Sequence, residues 1–276
     1  MSKHVVFLMV LVVAATAFAS SMPERVAPYR AGNPGLFYSL ENDLPGGAWA
    51  GAMGQTVWHG WAGATAYWAD FNGDDIDDKT LIQPNGNQWN LITSYSNATG
   101  DYSNTGFDVL AYEWWNNSSQ KVVFGDVDGD NIDDNCAYST GADFYGITDP
   151  GDPLYNAMVW GGFKSNGNAG IAVNNGSNHT GWSVFGDYSI HQGYLGDMNG
   201  DGIDDRIIYD PATFGVHVDY SVAGGFGDGV IDVSTFIGGA AGDKLGITDI
   251  DGDGYDDLAI VRFDANIHSD AYVIYG

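Results

Sequence analysis

Residues 70–78 read DFNGDDIDD, and the same nine-residue frame returns as DVDGDNIDD at 126–134, DMNGDGIDD at 197–205 and DIDGDGYDD at 249–257. Position 1 is always Asp, position 3 Asn or Asp, position 4 Gly, position 5 Asp, and positions 8 and 9 both Asp. Short apolar or alternating runs flank every copy: TAYWAD and DKTLIQ, KVVFGD and DNCAYS, QGYLGD and DRIIYD, KLGITD and DLAIVR. Rich in β-branched and aromatic residues, these runs read as strands. A connection dense in Asp, Asn and Gly between two strands reads as a tight hairpin loop.

Two further strands per unit are predicted. Residues 90–97, 171–177 and 216–222 supply one set, and 107–115, 181–189 and 229–238 the other. No stretch beyond the N-terminus shows helical periodicity. Loop starts lie 56, 71 and 52 residues apart, room for four short strands per unit. An all-β fold follows, and four-stranded antiparallel units repeated in line point to a β-propeller of four blades. Residues 35–42 and 54–61 offer the strand types missing after the fourth loop. A last blade shared between the two termini would close the ring and cover both sheet edges. Five blades is the alternative, should 140–170 form a blade without the motif.

The N-terminus carries Lys3, an apolar run from Val5 to Ala15 and the small-x-small triplet Ala17-Phe18-Ala19. That pattern predicts a secretory signal over 1–19, and the run is short of the ~20 apolar residues that span a bilayer. Residues 20–34, SSMPERVAPYRAGNP, read as an extended polar arm, and 35–276 as one repeat domain. A secreted, extracellular protein without membrane insertion is the expectation. Cys136 is the single cysteine, which leaves no intrachain disulfide. It sits in an apolar stretch and reads as a buried, inert thiol.

The formal net charge is −27, which argues against nucleic acid and anionic membranes as partners. Of 36 acidic residues only Glu24, Glu41 and Glu113 are Glu, so 33 are Asp, and 19 of those lie in the four loops. Five carboxylates in nine residues repel one another unless a cation offsets them. Asp, Asn and backbone carbonyls are ligands for calcium, which takes six to eight oxygens. Alternate side chains at positions 1, 3 and 5 can turn inward together, Gly at 4 allows the bend, and position 6 holds residues that tolerate a left-handed backbone: Asp75, Asn131, Gly202 and Gly254. An EF-hand needs Glu at position 12 and flanking helices. Here position 12 is Leu81, Ala137, Ile208 or Ile260, and the flanks are strands. Position 8, Asp77, Asp133, Asp204 or Asp256, reads either as a support behind the ligands or as a solvent-facing acid.

These loops and their strand flanks resemble the calcium hairpins of FG-GAP and VCBS-type repeats, as in integrin-like propellers, across roughly 35–276. The resemblance implies side-chain ligands at positions 1, 3, 5 and 9 and a carbonyl at 7. The first site is then Asp70, Asn72, Asp74, Ile76 and Asp78. The second is Asp126, Asp128, Asp130, Ile132 and Asp134. The third is Asp197, Asn199, Asp201, Ile203 and Asp205, and the fourth Asp249, Asp251, Asp253, Tyr255 and Asp257. Four Ca²⁺ ions are implied. At position 6, Asp75 and Asn131 stand where the family usually has Gly.

Catalytic signals are sparse. Beyond the predicted signal, the histidines His59, His179, His191, His217 and His268 are scattered without ligand spacing, and Glu113 is the one acid set among aromatics. Trp58, Trp114 and Trp115 are candidates for stacking on a sugar face or filling a partner's pocket. The leading expectation is therefore a non-catalytic adhesion module that binds a glycan or a cell-surface protein. A self-associating extracellular structural protein and a polysaccharide-degrading enzyme on the same scaffold are the other readings.

Overall fold

The computed structural model describes residues 25–26, 29–30, 36–41, 53–58, 65–73, 78–85, 88–95, 109–113, 119–165, 179–240, 243–263 and 269–276. They form five antiparallel sheets and one short helix. In the first sheet β1 (Arg25–Val26) and β2 (Tyr29–Arg30) pair with one edge of β3 (Leu36–Glu41), and β4 (Met53–Trp58) pairs with the other. Four sequential sheets follow. The second sheet runs β5 (Thr65–Ala69), β6 (Asp78–Asn85), β7 (Gln88–Ser94) and β8 (Val109–Glu113). The third runs β9 (Lys121–Gly125), β10 (Asp134–Thr140), β11 (Ala157–Phe163) and β12 (His179–Asp187), with α1 (Gly141–Tyr145) between β10 and β11. The fourth runs β13 (Gln192–Gly196), β14 (Asp205–Asp210), β15 (Gly215–Asp219) and β16 (Val233–Phe236). The fifth has three strands, β17 (Lys244–Thr248), β18 (Asp257–Phe263) and β19 (Ser269–Ile274).

Each Asp-rich loop joins the first two strands of one of these four sheets, as the flanking runs predict. The register is the same every time. Position 9 faces the residue just before position 1: Asp78 opposite Ala69, Asp134 opposite Gly125, Asp205 opposite Gly196 and Asp257 opposite Thr248.

Four expectations change. Among the described residues of 140–170, α1 and a loop lead into β11, which joins the third sheet, so they form no blade of their own. Thr140 caps that helix by accepting the Asp143 N–H at 3.0 Å, and Gly146 ends it at φ 69; five residues are too few to show a period. The third strand of this sheet is Ala157–Phe163, not 171–177, which lies outside the described residues. AMVWGGF is buried along its whole length, so it lacks the alternation that marks a half-buried strand. Finally, β3 and β4 pair with each other in a sheet of their own and are not paired with β17–β19. Pairing with a sequence neighbour closes a short loop at low entropic cost. The segment predicted as an extended arm, 20–34, contributes β1 and β2 to that same sheet. Residues 1–19, read as a secretory signal, lie outside the described residues.

The core sits in seams between successive sheets. Ala69, Phe71, Ile82 and Leu91 meet Val122 and Phe124 of the next sheet. Val127, Cys136, Tyr138, Met158 and Trp160 meet Phe185, Ile208 and Phe226. Ile207, Tyr209, Val216 and Val218 meet Leu245, Leu258 and Ile260. Inner sheets are thus covered on both faces, which is why β10, β11 and β14 are buried nearly end to end. Strand β13 lies beside both β9 and β17, so the first strands of the last three sheets, which carry the loops, are neighbours. Cys136, the single cysteine, is buried in the second of these seams.

Candidate metal centre

Position 1 organises each loop around its own carboxylate. Asp126 Oδ1 accepts the backbone N–H groups of Asp128, Gly129 and Asp130 at 3.2, 2.7 and 3.2 Å, and Oδ2 accepts that of Asn131 at 2.7 Å. Asp197 repeats this with Asn199, Gly200, Asp201 and Gly202 at 3.3, 2.7, 3.1 and 2.8 Å. Asp249 takes Gly252, Asp253 and Gly254 at 2.7, 3.2 and 3.0 Å. Asp70 takes Asn72 and Gly73 at 3.1 and 2.8 Å. Wrapping four N–H groups around one carboxylate needs left-handed residues. Gly129 has φ 79 and Asn131 φ 60, Gly200 and Gly202 have φ 72 and 77, and Gly252 and Gly254 have φ 78 and 89. The left-handed tolerance read at position 6 is therefore used in three loops.

Position 5 turns its carboxylate to the N–H of position 7: Asp130 to Ile132, Asp201 to Ile203 and Asp253 to Tyr255, at 3.1, 3.0 and 3.0 Å. Position 9 lies beneath the loop, fully or almost fully buried. One of its oxygens accepts the N–H of position 2, and the other accepts an N–H two residues past the end of the sheet's third strand. Asp134 thus holds Val127 and Ser165 at 3.2 and 2.6 Å, Asp205 Met198 and Ser221 at 3.1 and 2.7 Å, and Asp257 Ile250 and Gly276 at 2.8 and 2.7 Å. Asp78 holds Phe71 at 3.2 Å and also faces the Asn72 amide at 3.2 Å.

The carboxylates converge. Among the described residues, Asp126, Asp128 and Asp130 bring one oxygen each within 4.8 Å of one another, and so do Asp249, Asp251 and Asp257. That is the span of two oxygens at ~2.4 Å on opposite sides of one Ca²⁺ ion. Asp128 Oδ1 is buried without a hydrogen-bond partner, while its Oδ2 meets Lys164 Nζ at 3.2 Å. Burial, then the Asp128 and Asp126 charges, pushes the Asp134 carboxyl up to about 8. Burial likewise raises Asp205 to about 7. Carboxylates this far from water need countercharge to stay ionised, and a divalent ion among these oxygens fits that need. Asp74 and Ile76 of the first loop lie outside the described residues, as do Asp75 and Asp77.

Position 8 has a role the sequence left open. Asp133 N–H donates to the Asp70 carbonyl at 2.8 Å, and the Asp70 N–H donates back to Asp133 Oδ2 at 2.6 Å. Asp256 and Asp197 form the same pair at 2.7 and 2.9 Å. Asp204 donates to the Asp126 carbonyl at 2.7 Å and accepts the Asp126 N–H on its carboxylate. Asp133, Asp204 and Asp256 therefore each clasp position 1 of the preceding loop. A Cβ on Gly125 would collide with the Asp204 carboxylate. The presence of Asp at position 8 in all four copies was the available signal; its partner could not be read from it.

The aromatic candidates are less visible. Trp58 belongs to β4, described for its backbone alone, and Trp114 and Trp115 lie outside the described residues. Glu113 ends β8 opposite Trp89. Trp182, not singled out from the sequence, is 38% exposed and forms a group with Phe144 at 4.5 Å between ring centroids and, through Phe144, with Tyr145. Its cross-strand neighbour is Gly161, where any Cβ would fall inside the indole ring. His191 Nδ1 accepts the Asp187 N–H at 2.9 Å, and His217 Nδ1 meets Ser234 Oγ at 2.7 Å. Both histidines are thus engaged locally. No helix among the described residues is long and apolar enough to cross a membrane.

The sequence matches no protein-family model and no curated protein. Among solved structures, one that resembles the chain is a lectin from Agrocybe aegerita, described as recognising non-reducing terminal N-acetylglucosamine. The TM-score is 0.44 at 14% identity, covering 92% of this chain and 66% of the lectin chain.

Proposed function

We propose that this chain is a secreted β-propeller, stiffened by calcium at its Asp-rich hairpins, that serves as a non-catalytic binding module for a glycan or a cell-surface protein. The observation that carries the calcium reading is the convergence of Asp126, Asp128 and Asp130, with Asp128 Oδ1 buried and unpartnered. Loops two, three and four share one hydrogen-bonding scheme, so the same donor set applies to each. Asp126, Asp128, Asp130, Asp134 and the Ile132 carbonyl would hold one ion. Asp197, Asn199, Asp201, Asp205 and the Ile203 carbonyl would hold a second, and Asp249, Asp251, Asp253, Asp257 and the Tyr255 carbonyl a third. Asp70, Asn72 and Asp78 belong to the fourth, with Asp74 and Ile76 completing it by analogy. Bound calcium offsets carboxylate repulsion and stiffens the hairpins. The neighbouring first strands and the three similar seams support the propeller reading.

The binding role rests on surface chemistry. Trp182, Phe144 and Tyr145 offer ring faces of the kind that stack on the apolar side of a sugar. Binding of the purified chain to a glycan array in calcium and in EDTA tests the reading. Calcium-dependent capture of a defined sugar, weakened at least ten-fold by Trp182→Ala, supports it. A folded protein that captures no glycan and no cell-surface protein refutes it. Self-association is favoured by a separate observation. Strand β19 is an edge of the three-stranded sheet among the described residues, and Tyr272, Ile274 and Tyr275 are exposed there. Such an edge is a template for pairing with another chain.

A further inference from the structure

The clasps between loops link one proposed ion site to the next. Position 8 stands between two ligands of its own loop, the carbonyl of position 7 and the carboxylate of position 9. Through two hydrogen bonds it also grips position 1 of the preceding loop, the residue whose carboxylate gathers that loop's backbone. Asp133 reaches from the second loop to Asp70. Asp204 reaches from the third to Asp126. Asp256 reaches from the fourth to Asp197.

A second, apolar contact runs in the same direction. The side chain at position 7 lies over the glycine at position 4 of the preceding loop. A Cβ built on Gly73 would lie 3.1 Å from Ile132 Cγ1, one on Gly129 3.1 Å from Ile203 Cγ1, and one on Gly200 2.7 Å from the Tyr255 ring. Positions 7 and 8 of one loop therefore form a wall of the loop before it.

We propose that Asp133, Asp204 and Asp256 act as positioning residues that couple neighbouring calcium sites, so that ions load cooperatively along the row of loops. The inference rests on the calcium reading above. An ion in one loop holds the backbone of positions 7 to 9 through its ligands at 7 and 9. That same backbone fixes position 1 of the preceding loop, so the next ion meets a site already ordered. Ordering shared by two ligands is positive cooperativity, since the second ion does not bear that cost again.

The test is calcium titration of the EDTA-stripped chain by calorimetry, with circular dichroism to follow folding, for the natural protein and for Asp204→Ala. Asp204 is outside the proposed ligand set, so the variant keeps every ligand. The natural protein is expected to bind with a Hill coefficient of about 2 or more. Asp204→Ala keeps the stoichiometry, loses steepness and weakens two sites about ten-fold, the effect of a coupling of ordinary size. If Asp204→Ala does not fold, Asp204→Asn keeps a hydrogen-bond acceptor without the charge, and its steepness falls between the two. A Hill coefficient of 1 in the natural protein, or undiminished steepness in the variant that folds, overturns the coupling while leaving the calcium reading intact. Absence of calcium binding by the natural protein overturns both.

Discussion

Removing calcium should invert how stability depends on pH. The group to follow is Asp134, buried beneath the second loop, whose carboxyl is pushed up to about 8 by burial and then by Asp128 and Asp126. An unfolded Asp titrates near ~3.9. Between those values the calcium-free folded chain holds a proton that the unfolded chain has lost. Folding then takes up a proton, so stability is fully present below about pH 4 and declines as pH rises towards about 8. The slope from one such group is about 1.4 kcal/mol per pH unit, which makes about 2.7 kcal/mol between pH 5 and pH 7. Asp205, raised to about 7, and Asp256, raised to about 6, act in the same direction. Asp210 and Asp243 are lowered, by hydrogen bonds from Thr213 and Arg262, so their contribution is lost only on acidification below the ordinary carboxylate range. The assay is urea unfolding in EDTA at pH 5, 6 and 7. With an m-value of about 2–3 kcal/mol per molar, the midpoint should fall by roughly 1 M across that range. In saturating calcium the ion competes with the proton, and stability should rise with pH instead. A midpoint in EDTA that stays level or climbs from pH 5 to pH 7 would refute the reasoning.

Three sites probe other parts of the framework: the Arg206–Asp219 pair, the position-4 glycines and Lys164. Arg206 is fully buried, paired with Asp219 and placed 5.3 and 5.1 Å from the Phe185 and Phe226 ring centroids; Asp219→Ala strands its charge and should cost about 3–5 kcal/mol in urea unfolding, most of it regained in the double variant Arg206→Met, Asp219→Leu. Gly129→Ala meets both a φ of 79 and the Ile203 side chain, whereas Gly252→Ala meets a φ of 78 with open space around it. The first should lower the melting temperature by more, with the difference measuring the packing between loops beyond a backbone cost of about 1 kcal/mol. Lys164→Met removes the ammonium 3.2 Å from Asp128; calcium affinity at the second loop should rise several-fold in a titration, while stability in EDTA falls.

Much of the architecture follows from local chemistry. A segment such as DVDGDNIDD can satisfy its own backbone by folding around Asp126, so its hairpin, its left-handed Asn131 and its flanking strands were legible from nine residues and their neighbours. Positions 1, 3 and 5 converge in the second loop, whereas in the fourth the converging carboxylates are at 1, 3 and 9. Strand β11 was missed because burial on both faces erases alternation, and α1 because five residues cannot display a period. The first sheet was misassigned because strand patterning does not name a partner; β3 pairs with its chain neighbour β4, a pairing that closes a short loop at low entropic cost.

The sequence by itself determined the all-β class, the repeat and the four hairpins, since each depends on contacts within about ten residues. Only the tertiary structure decided that Asp133, Asp204 and Asp256 grip the preceding loops, and that Arg206 meets Asp219 between two aromatic rings. An aspartate at position 8 has the same local surroundings whether it faces water or a neighbouring loop. Its partner is set by how one sheet packs on the next, and that packing is a sum of many apolar contacts distant in sequence.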